Sequence, residues 1–426
     1  MTVDLKTIGY VRAAYLGDEN GEHTGTKRNP LKICPTTNLG VFGELAISEL
    51  TPIYQGVFEY TVDNTRLTEN TVVSSGTVTQ NNGMAEIATT ATTGSSAQLQ
   101  SKAHARYRSG QGGVAKFTAM FSAPVAATEM FIGLADSTGS SEAYNNGMMI
   151  GYDGLTFGFH RFQNDALITV AQANWDDPLD GSGLSGMVID HTKLNVWKIQ
   201  FQYLGAGAIV LSVEDDATGA FIEVHRVLYA NLNTTPHVHN PNFHHMIWVD
   251  NKATTGEMKI STASYAFFIE GKHKRSEIHQ PIFSTGTIQK TTVTTEVPIV
   301  TIRNKTSYAS KANFIDTLLQ GVGASAEAGS NNNLATLRLL KNATLGGASF
   351  ADISTTDSIM DFDSAATTVT AGEELMSVDL AGKNDRDFRD LSPFDLILNE
   401  GDTLTITASS ANSATIRAGI FWKELF

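Results

Sequence analysis

The 426-residue chain holds a single cysteine, Cys34, which rules out an intrachain disulfide and any cysteine-based zinc site within one chain. Long hydrophobic runs are missing too. No 18 consecutive residues are apolar, so no segment has the character of a transmembrane helix and no membrane insertion is expected. Charge is sparse: Asp, Glu, Lys and Arg make up 17% of the residues and form no long block. The net charge of −14 favours solubility and speaks against a general nucleic-acid surface, so no nucleic-acid partner is expected. Met1 to His23 contains no basic region followed by an apolar core. No signal peptide is therefore expected, and synthesis in a cytoplasm is.

Catalytic signatures are equally scarce. There is no G-x-S-x-G elbow, and Cys34, directly before Pro35, lacks the context of a nucleophile. Asp153-Gly154 and Asp363-Ser364 are isolated acids without the spacing of a calcium loop. Ser109 to Gly113 supplies three glycines in five residues, and successive backbone N–H groups can cradle an anion. A phosphate loop, however, ends in GKS or GKT and opens a helix, whereas these glycines run into VAKFTAMF. Arg106, Arg108, Gly110 and Gly112 are accordingly read as a structural turn, and no cofactor is expected.

What is present is β sequence. Glycine (37 residues), threonine, serine, asparagine and alanine punctuate the chain, a composition of sandwiches and barrels. Val114, Lys116, Thr118 and Met120 alternate with Ala115, Phe117, Ala119 and Phe121, the period of a half-buried strand. Val196 to Tyr203 alternates in the same way, and further strands are expected over Ile209 to Glu214 and Phe221 to Tyr229. Asp153-Gly154 inside NGMMIGYDGLTFGFHRF signals a hairpin. The expectation is an all-β chain of two antiparallel β-sandwiches, of lectin-like or jelly-roll type, with an extended N-terminal arm. The arm takes residues 1–60, the central sandwich 61–272, a linker 273–295, and a jelly-roll-like C-terminal sandwich 296–426.

Candidate functional residues are few. His237 and His239 in PHVHNPNFHHMIW stand at i and i+2 of an extended segment, where a metal could be held, above all at a threefold axis. No carboxylate accompanies them and prolines flank them, so loop packing is preferred and no metal site is expected. Asp176, Asp177, Asp180, Asp190, Glu214 and Glu223 raise a glycosidase, which needs two carboxyls about 5 to 9 Å apart across a cleft. Asp176, Asp177 and Asp180 instead lie in WDDPLDGSG, a turn in which short acids bond their own backbone. No catalytic residue is expected. Tyr144, Tyr152, Phe157, Phe159, Phe162 and Trp175 cluster in the chain. Tyr144 and Trp175, beside polar turns, are the candidate surface contacts, suited to carbohydrate stacking or subunit contact.

Four segments recur in order as a set: FGELAISELTPIYQGVFEYTVDN, HARYRSGQGGVAKFTAMF, NWDDPLDGSGLSGMVIDHTKLNVWKIQFQYLGAGAIVLSVE and VHRVLYANLNTTPHVHNPNF. Across residues 38–271 the chain resembles a widespread family of virion structural proteins of tailed bacteriophages, with relatives in large DNA viruses of algae. The region from EVPIVTIRNKTSY to GIFWKELF resembles a β-module appended to such proteins. The resemblance implies a particle component without known catalysis, made in the host bacterial cytoplasm and located in the virion. The expectation is a non-enzymatic tail- or baseplate-associated fibre or appendage protein with a role in host attachment. Capsid decoration, or a head fibre, is the alternative within the virion. A carbohydrate-binding or glycoside-active module is the alternative of another class. Expected partners are the chain itself, as a homotrimer, other virion proteins through the arm, and a host-surface glycan or protein.

Overall fold

The computed structural model describes residues 49–64, 67–136, 145–271, 280–328, 334–381 and 385–426. The chain divides after His273 into two compact units. Both are built of antiparallel strands, and the two expected β-sandwiches are present.

Among the described residues, the first unit faces a nine-stranded sheet with a seven-stranded one. Strand Gly112–Phe121 is the centre of the larger sheet, pairing with Asn195–Gln202 on one side and with Ser264–Glu270 and Lys259–Thr262 on the other. Its alternation works as the sequence implies: Ala115, Phe117, Ala119 and Phe121 enter the core beside Trp197, Ile199 and Phe201. Lys116, Thr118 and Met120 point outward and are half-buried.

The seven-stranded sheet behaves differently, because both of its faces are covered. Ile132, Ile150, Phe159 and Ile247 fill the inner core, while Phe131, Met149, Phe162, Met246 and Trp248 form a second buried cluster on the reverse face. Strands buried on both faces read as continuous apolar runs. That is why MFIGLA, GMMIGY and HHMIWV show little alternation. The Asp153-Gly154 hairpin closes with Asp153 paired to Thr156 and Gly154 at φ +57°.

Two expected boundaries move. Leu50–Val57, inside the expected 1–60 arm, is a strand paired with Ser264–Glu270, and Tyr54 and Phe58 are buried in the core. Pro52 obscures it in the sequence. It is tolerated because the strand lies at a sheet edge and its register shifts between Pro52 and Tyr54. The rest of the arm, residues 1–48 with Cys34, lies outside the described residues.

The expected linker, 273–295, likewise contributes to the second unit. Ile282–Ser284 and Ile288–Val293 both pair with Ala414–Leu425, and Val293 joins the core. Among its described residues, that unit packs two six-stranded sheets around Ile302, Leu339, Ile406, Ile416, Ile420 and Trp422. The acids Asp361, Asp363 and Glu424 are buried there. Glu424 Oε1 accepts from Ser358 Oγ at 2.5 Å and from Trp422 Nε1 at 3.0 Å, and Oε2 accepts from the Ile359 N–H at 2.9 Å.

Candidate functional sites at the ends of the first sandwich

At one end of the first sandwich three of the sequence motifs interlock. Ala105 and Phe243 exchange backbone hydrogen bonds of 2.6 and 3.1 Å, which fastens the RYRSGQG turn to the PNF segment. The Tyr107 N–H donates to Asn242 Oδ1 at 2.9 Å. Its phenol oxygen accepts from Leu204 N–H at 3.0 Å and Gly110 N–H at 3.3 Å. Tyr203, next in that chain of contacts, donates its hydroxyl to Val238 O at 2.8 Å. Tyr203 and Tyr229 then flank the His237 ring edge-on, with ring centres 5.1 and 5.5 Å away. Arg161 closes the assembly, donating to His237 O at 3.0 Å with its guanidinium over the Tyr229 ring. Every link is a packing or backbone-satisfying contact.

The glycines of the turn have distinct reasons. Gly110 sits at φ +90°, in the left-handed region that favours glycine. Gly112 has an ordinary backbone, but a Cβ there would meet Glu270 Oε2 at 2.1 Å. Arg106 and Arg108 are half-buried beside them.

His237, His239, His244 and His245 are divided between a loop and a core strand. His237 and His239 lie in an irregular segment, bounded by Pro236 and Pro241, rather than on one strand face; His237 is buried and His239 exposed. The His237 ring sits between apolar ring edges, and burial, then the nearby Arg161 charge, pushes its pKa down to about 4. His244 and His245 belong to a core strand, where burial drives both to about 3. His245 stacks on Tyr265 at 4.5 Å. Among the described residues no three His, Cys, Asp or Glu side chains gather as a metal would need.

The acids are likewise committed locally. Asp177 is buried and accepts from Leu179 N–H at 3.2 Å and Ser185 N–H at 2.7 Å, organising the WDDPLDGSGLSG loop. Asp180 accepts from Ser182, and Asp190 from Thr192, in short turns whose hydroxyl hydrogen bonds hold both carboxyls below the usual range. Asp176 caps the Arg226 N–H at 2.8 Å, while Glu223 holds the Arg226 guanidinium through two bonds of 2.6 and 2.7 Å.

The opposite end carries an aromatic box. Trp175, expected at the surface, is buried: its Nε1 donates to Val170 O at 3.0 Å and its ring meets Phe157 and Trp197 about edge-on. Neighbours from distant strands cover it, which polar turns beside it in sequence do not reveal. Tyr144 lies outside the described residues. His191 stacks on Phe157 at 3.7 Å, contacts Gln172 Oε1 through Nε2 at 2.9 Å, and is held to about 4 by burial. Tyr152, Thr156, Gln172, Asp180 and His191 border an open groove of about 410 Å³. An aromatic wall, an amide and a carboxylate around such a space suit a neutral polyhydroxyl ligand.

No family model and no curated protein matches this chain. Solved structures do. The catalytic domain of a laminarinase, an endo-1,3-beta-glucanase from Thermotoga petrophila, is 10% identical over 53% of this chain and 100% of its own, with a TM-score of 0.36. Peanut lectin in complex with a 9mer peptide is 14% identical over 51% of this chain and 97% of its own, at 0.32. A protein of unknown function from Shewanella oneidensis is 12% identical over 59% of this chain and 100% of its own, at 0.35. At these values the likeness carries no functional assignment.

The sequence singles out Arg106, Gly110, His237, Tyr152 and Trp175 at these two ends without joining them. Tyr107 and Tyr203 are 96 positions apart, and no local pattern announces their contact. His191 follows directly on Asp190, but no local pattern marks it as part of the aromatic box.

Proposed function

We propose that this chain is a non-enzymatic structural protein of a bacteriophage virion, assembled as a homotrimer and associated with the tail or baseplate. The observation that carries the reading is the interlocking of Tyr107, Tyr203 and His237. The motifs behind the family resemblance meet there as packing, and Asp176, Asp177, Asp180 and Asp190 accept from backbone N–H groups of loops and turns. A chain selected to be a rigid building block has this economy: polar groups satisfy loops rather than await a substrate. The Tyr152–His191 groove favours a second element, contact with a host-surface glycan. Quantitative mass spectrometry of density-purified particles tests the reading. The expected result is a fixed copy number divisible by three; absence from the particles overturns it.

A further inference from the structure

On the outer face of the nine-stranded sheet, Lys116 and Lys198 are register partners on adjacent antiparallel strands. Their ammonium groups lie over the same Phe221 ring, at 5.6 and 5.1 Å from its centre, and Lys116 is also 5.6 Å from the centre of the Phe268 ring. Directly opposed like charges destabilise a sheet, and a direct carboxylate partner is the usual remedy. Among the described residues neither lysine forms an ion pair. Glu223 and Glu270 favour the charged form of Lys198 without pairing to it: Glu223 grips Arg226, and Glu270 accepts from the Gln200 amide. Partial burial, then the Lys116 charge, pulls the Lys198 pKa below its ordinary value. All this occurs in a chain of net charge −14.

The neighbours make room for a ligand. In the register row of the two lysines, Ser212 then Glu223 stand beyond Lys198, and Ala266 then Gln55 stand beyond Lys116. Beside the small Ala266 a groove of about 480 Å³ opens over Lys116, bordered by Thr118, Val196, Ser264 and Phe268, while Lys198 stands next to Lys116 in the register row, outside the groove's lining. That space is far larger than a single inorganic ion needs, and its lining mixes an aromatic ring and a valine with hydroxyls.

We infer that this face binds an acidic saccharide chain. Lys116 and Lys198 take carboxylate or phosphate oxygens of the ligand, and Phe268 packs on the apolar face of a sugar ring. The inference rests on the host-contact part of the proposed function for its biological setting, and on the lysine pair for its chemistry.

Calorimetric titration of the full-length protein tests it, with polygalacturonate as the carboxylate chain, a phosphomannan as the phosphate chain, and dextran as the neutral one. Binding to at least one acidic chain but not to dextran is expected, weakening as salt is raised. Which acidic chain binds identifies the source of the anion. Lys198→Gln should weaken binding about tenfold, the size of one charge-assisted hydrogen bond. The double variant Lys116→Gln/Lys198→Gln should abolish it without lowering the melting temperature, because the mutual repulsion is removed. Lys116→Arg/Lys198→Arg should retain binding, and Lys193→Gln, on an exposed loop, should leave it unchanged. The inference is overturned if neither acidic chain binds at low salt, if the double Gln variant binds like wild type, or if that variant instead dissociates an oligomer. Absence from virions with binding intact would sink the proposed function alone; loss of binding with virion membership intact would sink this inference alone.

Discussion

Tyr107 and Tyr203 meet edge to face with ring centres 5.0 Å apart, and the Tyr107 phenol oxygen accepts the backbone N–H of Leu204 just beyond its partner. One side chain thereby joins the glycine turn to the turn after strand Asn195–Gln202. Tyr107→Phe keeps the ring contact but leaves the Leu204 and Gly110 N–H groups to find water. The variant is expected to lose about 1 to 2 kcal/mol, read as a lower urea midpoint at unchanged slope. A midpoint equal to wild type would mean that the phenol oxygen contributes nothing to the end of the sandwich.

Glu424 in the second unit allows a sharper test. Its buried carboxylate satisfies three donors, from Ser358, Ile359 and Trp422. Glu424→Ala removes both acceptor oxygens and all three hydrogen bonds at once, and a loss of at least about 3 kcal/mol is expected. Glu424→Gln keeps one acceptor oxygen and should fall between the two. Trp422 is the single tryptophan of that unit, so its emission in variants lacking the other three follows the transition. Equal midpoints for Glu424→Ala and wild type would contradict the assignment.

Stability should also depend on pH, with a sign set by buried histidines of the first unit. Burial holds His244 and His245 at about 3 and His160 at about 4 in the folded chain, below the ordinary 6.5. As pH falls below 6.5, the unfolded chain binds protons that the folded chain does not. Their contribution is complete above pH 6.5 and is lost toward pH 4 and below, at up to about 1.4 kcal/mol per pH unit for each histidine. Glu129 and Asp136, whose carboxyls burial raises, act in the opposite sense. No described residue of the second unit is a histidine. Calorimetric scans at pH 7.5 and 5.5 should show the first unit's transition falling more than the second's; an equal or smaller fall would contradict this.

How much of this was legible in the sequence depends on whether the deciding contact is local. Phe117 and Trp197 announce their inward faces by alternation, and Asp153-Gly154 announces its hairpin, because strand period and turn chemistry are local properties. Leu50–Val57 was obscured by Pro52, a breaker in a central strand but not at an edge. Trp175 shows the deeper limit. Its neighbours in sequence are polar, and the Phe157 and Trp197 rings that bury it arrive from other strands. The lysine pair was hidden for the same reason: Lys116 and Lys198 each read as an ordinary outward residue until the strands are laid side by side.

The most direct measurement of the central claim is a cryo-electron-microscopy reconstruction of the intact particle, compared with particles in which this chain carries a fused label. The account predicts density for both sandwiches in threefold arrangement at the tail or baseplate, with the label beside it. Density repeated over the capsid shell would contradict the appendage placement, and label absent from the particle would contradict the virion assignment itself.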